Sequence, residues 1–314
     1  PTRRSSDLVI QTARAGAERV FGILDTKPEI QDKPGALTLP TIEGHVQFEH
    51  VYFAYKDDDF VLRDINLHVK PGETIALVGH TGAGKTSMIN ILCRFYDVSR
   101  GRILIDGHDI RDVTQKSLRS QTGLVLQEPF LFSGTVRQNL LYGNPDAREE
   151  DMLKVTKALG IHDFIERLSD GYDTDVQERG SKLSLGQRQL ISFARAIIND
   201  PRILILDEAT ANIDTQTEQV IQKALEHMLA GRTSFVIAHR LTTIQQADKI
   251  VVIDDGKIVE IGSHEELLAR HGIYRRLYMV QFRTAIDPAD LDMGEDVSAG
   301  GALDQEASHY DASV

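Results

Sequence analysis

The hydrophobic rhythm changes several times along the chain. In residues 9–25 (VIQTARAGAERVFGILD) the apolar positions Val9, Ala13, Ala17, Val20, Phe21 and Leu24 recur at steps of three and four, which predicts a helix. Residues 26–43 carry Pro28, Pro34, Pro40 and Gly35 and read as a linker. From His45 the pattern shifts to short strands, VQFEHVYFAY and then VLRDINLHVK, with a turn at Pro71-Gly72. TIALVG at 74–79 predicts a strand that runs into a glycine-rich loop, and a helix follows over about 84–95. Strand signals fade between about 129 and 183, where helices are predicted at 149–159 and 162–168. Strands return as RILILD (202–207), SFVIA (234–238), KIVVID (249–254) and KIVEIG (257–262). Helices are predicted at 216–229, 264–270 and 273–282. Apolar strands alternating with helices through short connections imply an α/β core with a parallel sheet.

With 314 residues, 41% hydrophobic and 26% charged, the chain can bury a substantial core, which excludes wholesale disorder, a collagen-like fibre and a coiled coil. Nowhere do 18 consecutive apolar residues occur, so no segment of this sequence reads as a membrane span. The lone Cys93 excludes a disulfide framework and a multi-cysteine zinc site, and reads as a buried helix residue. Net charge is −12, but residues 284–314 hold eight acids and no Lys or Arg. The rest is close to neutral and offers no electrostatic footprint for nucleic acid. The acidic end, rich in Gly, Ala, Ser and Asp, is expected to be a disordered tail. Residues 1–8 (PTRRSSDL) resemble a translated sequencing adapter and are set aside as a scar, with the expectation that upstream sequence is missing.

Chemistry concentrates first at Gly79-His80-Thr81-Gly82-Ala83-Gly84-Lys85-Thr86, a P-loop pattern placed between a predicted strand and a predicted helix, with Ser87 following. Glycines let successive backbone N–H groups turn towards an anion, and the helix N-terminus adds partial positive charge. Lys85 supplies a point charge for the β- and γ-phosphates, and the Thr86 hydroxyl suits Mg²⁺. This constellation points to a nucleoside triphosphate. The apolar strand Ile203–Leu206 ends in Asp207-Glu208, whose side chains alternate in direction. At the edge where open α/β sheets bind ligands, Asp207 suits the Mg²⁺ shell and Glu208 an attacking water.

Between these motifs, Leu183-Ser184-Leu185-Gly186-Gln187 resembles the signature loop of ATP-binding-cassette (ABC) proteins, with Leu185 where the family commonly has Gly. Other family elements follow in order: Tyr55 at the position that stacks on adenine, Gln127 at the glutamine joining Mg²⁺ and water to the membrane partner, Asp214 in the loop facing the opposite subunit, and His239 at the γ-phosphate histidine. Ala211 stands where Ser is more frequent. Asp175 to Gly180 (DVQERG) resembles the short loop that marks ABC exporters, and AERVFGILDTKPEI resembles the extension joining an exporter's last membrane helix to its ATPase domain.

The resemblance implies a RecA-like P-loop core with an antiparallel β subdomain and an α-helical signature subdomain, spanning 44–283 and preceded at 9–43 by a helix and linker from a membrane domain. It implies ATP and Mg²⁺ as ligands, and Glu208, His239, Lys85 and Gln127 as catalytic groups. Thr86, Gln127 and Asp207 fall to the metal, and Tyr55, residues 79–87, Ser184, Gly186, Gln187 and Asp214 to the nucleotide. The implied partners are a second ABC ATP-binding domain and an upstream transmembrane domain, which places the chain at the cytoplasmic face of a membrane as part of an exporter. A stand-alone ABC ATPase and an ATP-binding regulatory half with little hydrolysis are the alternatives.

Overall fold

In a computed structural model, residues 3–207, 215–238 and 240–282 are described. A helix, α1 (Arg3–Leu24), opens the chain, starting earlier than its apolar periodicity indicated. The antiparallel strands β1 (Val46–Ala54) and β2 (Phe60–Val69) follow, and then β3 (Thr74–Val78) and α2 (Lys85–Leu92). Next come β4 (Arg100–Ile105), β5 (His108–Asp109), α3 (Gln115–Arg119) and β6 (Thr122–Val125), none of which the hydrophobic pattern announced. The helices α4 (Val136–Leu141), α5 (Glu149–Ala158), α6 (His162–Glu166) and α7 (Leu185–Ile197) lead to β7 (Ile203–Asp207) and α8 (Thr215–Leu229). The chain then runs through β8 (Thr233–Ile237), α9 (Leu241–Gln246), β9 (Lys249–Asp254), β10 (Lys257–Gly262), α10 (His264–Ala269) and α11 (Ile273–Phe282).

Two sheets organise these elements. The first has the order β2-β1-β4-β5 and is antiparallel; the second has the order β10-β9-β3-β8-β7-β6. In the second, β9, β3, β8, β7 and β6 are parallel and only β10 is antiparallel. Alternating side chains of β3 explain how the two cores divide. Ile75 and Leu77 join Phe48, Phe53, Ile205 and Phe235 beneath the antiparallel sheet. Ala76 and Val78 face the other way, into a core with Leu190, Ile191, Phe193 and Ile221 from α7 and α8. A strand buried on both faces needs apolar residues at every position, and β3, β7 and β8 supply nearly that. The α/β class, the antiparallel β subdomain and the helical subdomain are all present.

The later part of residues 26–43, expected as a linker, is tied to the body. Leu39 and Ile42 are buried, and their N–H groups donate to Ser117 Oγ and Gln121 Oε1, both at 2.9 Å. Arg94, just past α2 and fully buried, donates to Val113 O at 2.7 Å and to Gln31 O at 3.3 Å. A buried arginine survives only when its donors are satisfied, so Arg94 ties this segment to the body at Gln31. The preceding helix is different. Val20, Phe21 and Leu24 of α1 are 56%, 60% and 71% exposed, so nothing in the described chain covers the apolar stripe that predicted it. Among the described residues, no helix is long and apolar enough to cross a membrane. The acidic segment 284–314 lies outside the described residues.

Candidate nucleotide site

The P-loop residues 79–87 run from the C-terminal end of β3 into the first turn of α2. Gly84 caps α2 with φ at 110°, in the left-handed region, and contributes no side-chain cap. The first N–H groups of the helix are therefore left for an anion. At Gly79 the requirement is steric, since a Cβ there would lie 2.2 Å from the Ile253 carbonyl oxygen of the neighbouring strand. Gly79→Ala is therefore expected to force β3 and β9 apart, costing about 1–3 kcal/mol of stability as overpacking does. Thermal denaturation with and without ATP checks this, because loop distortion should also remove the ATP-induced rise in melting temperature.

Lys85 Nζ donates to Gly79 O at 2.7 Å and to His80 O at 2.9 Å, so the ammonium is already folded over the loop. Burial lowers its pKa below the ordinary lysine value, and the Asp207 carboxylate pulls in the opposite direction. The His80 ring ties the loop to the sheet: its Nδ1 lies 2.7 Å from Thr81 O and its Nε2 3.0 Å from Asp254 Oδ1, at the end of β9. Thr81 and Thr86 are exposed, and Ser87 is buried on the inner side of α2.

The sheet sets Asp207 near the P-loop. Asp207 pairs with Ile237 across β7–β8, and Ile237 pairs with Leu77 across β8–β3, so the carboxylate sits two strands away in the row just before the P-loop. Two strand spacings amount to about 10 Å. On the other side, β6 runs parallel to β7 with Val125 opposite Leu206, which carries Gln127 to the same edge. Gln127 and Asp207 both line a cavity of about 800 Å³ together with Phe130, Glu178, Arg179 and Leu185. Thr86, Asp207 and Gln127 would supply oxygen donors of the kind that suit Mg²⁺, which commonly takes few protein ligands and completes its shell from phosphate and water. The residues fit that ion.

Ser184 is the N-cap of α7. Its Oγ accepts from Gln187 N at 3.2 Å, while Ser184 N donates to Gln187 Oε1 at 2.9 Å, a reciprocal capping box. Ser184 is exposed and Gly186 buried, so the signature loop offers a rigid helix start to whatever faces it. Leu185 lines the 800 Å³ cavity. Arg188 donates to Leu183 O at 3.1 Å and Gly180 O at 3.4 Å, fastening the Glu178–Gly180 turn to the same helix. Tyr55 lies just past β1, 44% exposed, with Phe53 and Tyr96 in edge contact at ring distances of 4.7 and 5.0 Å. Glu208, Asp214 and His239 lie outside the described residues.

Sequence reasoning missed the residues that hold this machinery in place. Arg195 donates to Phe130 O at 2.8 Å, and to Asn139 O and Oδ1 at 3.0 and 2.7 Å, while Asn139 in turn bonds both Phe132 N and Phe132 O at 2.9 Å. Burial holds the Arg195 pKa down at about 10. This clamp fixes the segment after Gln127 against α4 and α7. The only signal available was an arginine embedded in the apolar helix ISFARAII.

A glycine-rich loop between strand and helix, with a lysine folded over it and a carboxylate two strands away, defines a P-loop nucleotide-binding protein. The ABC transporter family profile matches residues 62–211, and this chain belongs to that family through its ATP-binding domain. It is 50% identical over 285 residues to an ATP-dependent lipid A-core flippase of Syntrophus aciditrophicus, covering 90% of this chain and 47% of the flippase. It is 49% identical over 263 residues to a putative multidrug export ATP-binding/permease protein of Staphylococcus aureus, covering 83% of this chain and 46% of that protein. A bacterial Atm1-family ABC exporter solved with ATP bound superposes with a TM-score of 0.80 at 41% identity, over 89% of this chain and 48% of that one. The chain thus spans about half the length of these relatives.

Proposed function

We propose that this chain binds and hydrolyses ATP as the motor domain of an ABC exporter, working as a pair of ATP-binding domains at the cytoplasmic face of a membrane. The observation that carries the reading is the exposed, capped start of α7 at Ser184, a second helix N-terminus apart from the P-loop that would suit a phosphate. A second copy, or a related domain, would close ATP between its signature turn and this chain's Lys85. Thr86, Asp207 and Gln127 would hold Mg²⁺, which neutralises developing charge on the transferred phosphoryl group. Lys85 stabilises the β- and γ-phosphates. Glu208 accepts the proton of the attacking water as its oxygen bonds to the γ-phosphorus and ADP departs, with His239 steadying the γ-phosphate.

The groove formed by Gln127, Phe130, Glu178 and Arg179 supports a membrane-domain partner, because it joins the catalytic glutamine to the exporter-like turn in one concavity. The uncovered stripe on α1 is a second surface that a partner would bury. The packing of residues 28–43 supports a domain that begins near Ile30, earlier than position 44. Two measurements test the paired motor. Specific ATPase activity should rise with protein concentration, and Ser184→Arg should remove turnover while calorimetric ATP binding to the P-loop persists. Activity per molecule that is constant over the whole concentration range, with Ser184→Arg fully active, would sink the paired reading.

A further inference from the structure

The hydroxyl of Tyr55 is bound to the helix that carries the P-loop lysine. It lies 3.1 Å from Ser87 Oγ and accepts from Asn90 Nδ2 at 3.2 Å. Ser87 and Asn90 are three apart on α2, hence on one face, and Lys85 opens the same helix. We propose that Asn90 is a positioning residue for the nucleotide base, setting the Tyr55 ring relative to the phosphate cradle before ATP arrives. This rests on the reading that Tyr55 stacks on the base.

Three features support a positioning role. A ring 44% exposed and placed just past the end of β1 would otherwise be free to change rotamer. Phe53 and Tyr96 meet it at near-perpendicular angles of 77° and 89°, restricting its tilt, while the two hydrogen bonds fix its far end. A platform ordered in advance loses less conformational freedom on binding, and the ligand then binds more tightly for the same contacts. Ser87 adjoins the metal-binding Thr86 and belongs to the phosphate cradle, so substituting it would disturb both ends of the nucleotide. Asn90 sits a turn further along, and its side chain reaches Tyr55 without entering the P-loop.

The test is calorimetric titration of the full chain with ATP and, separately, with inorganic tripolyphosphate, which has the charge but no base. Asn90→Leu is expected to weaken ATP binding about three- to tenfold, the size of one lost hydrogen bond, with tripolyphosphate affinity unmoved. Tyr55→Phe, which gives up the Ser87 contact as well, should cause at least that loss, and the double variant no more than Tyr55→Phe alone. In turnover assays the loss should appear in KM and leave kcat in place. Equal weakening of ATP and tripolyphosphate would overturn the proposal, since Asn90 would then be acting on α2 itself. So would unchanged ATP affinity in Asn90→Leu, or additive losses in the double variant. Tyr55→Ala separates the two readings: if it leaves ATP affinity unchanged, the base-stacking role fails first, whereas a loss there combined with a silent Asn90→Leu refutes only the positioning role.

Discussion

Lys85→Ala is expected to weaken ATP binding by about two orders of magnitude, which corresponds to about 3 kcal/mol and is the upper range for hydrogen bonds to charged groups. The argument begins in the ligand-free geometry. The ammonium rests on the carbonyls of Gly79 and His80, so it is held within the curl of the loop and needs little rearrangement to meet a triphosphate. Burial already disfavours its charged form, and the Asp207 carboxylate partly offsets this. An arriving polyphosphate would therefore relieve a cation that is poorly solvated, and the interaction is stronger than the same contact in bulk water. Removing the side chain leaves two carbonyl oxygens at an exposed loop, where water can replace the lost donor. The fold should accordingly melt within a few degrees of the unaltered protein. Lys85→Arg should not restore binding, because a planar guanidinium cannot occupy the place of a compact ammonium between two carbonyls. Isothermal calorimetry checks the two binding statements and thermal denaturation the third, and normal ATP affinity in Lys85→Ala would contradict the cradle.

Much of this site is legible in the sequence because the chemistry is local. The P-loop, the signature turn and the apolar run ending in Asp207 each lie within a few consecutive residues whose spacing has a mechanical reason. Elements made by partners rather than by their own pattern are not legible. The first three residues of β4 are exposed and include Gly101, with φ at 80°, so no alternation marks it as a strand. β5 has two residues and β6 four, and they exist because β4 and β7 lie alongside. Residues 28–43 have the prolines of a linker, yet their amide groups find acceptors on Ser117 and Gln121, some 80 positions away. The opposite failure occurs at α1, where periodicity correctly announced a helix but could not say what covers its apolar stripe. Buried polar clamps such as Asn139 with Arg195 are the hardest to foresee, since both residue types usually face water.

Glu208→Gln should separate binding from chemistry. In sequence the residue directly follows Asp207, the last residue of β7, whose charge acts on the P-loop lysine. General-base assistance contributes about 10²–10⁴-fold to a rate, so a glutamine, which is nearly isosteric but cannot accept the water's proton, should cut turnover by at least about 100-fold. ATP affinity should change little, because the amide removes one negative charge beside the triphosphate without removing a contact. The consequence for assembly is larger. If ATP joins two domains and hydrolysis parts them, blocking the chemical step leaves the joined state as the end point. Light scattering with Mg-ATP should then show the variant as a dimer under conditions where the unaltered chain is mainly monomeric, and ADP should not produce it. Full hydrolytic activity in Glu208→Gln would move the base elsewhere. A variant that binds ATP, fails to hydrolyse it and still remains monomeric would leave the base in place and remove the dimer as the working unit.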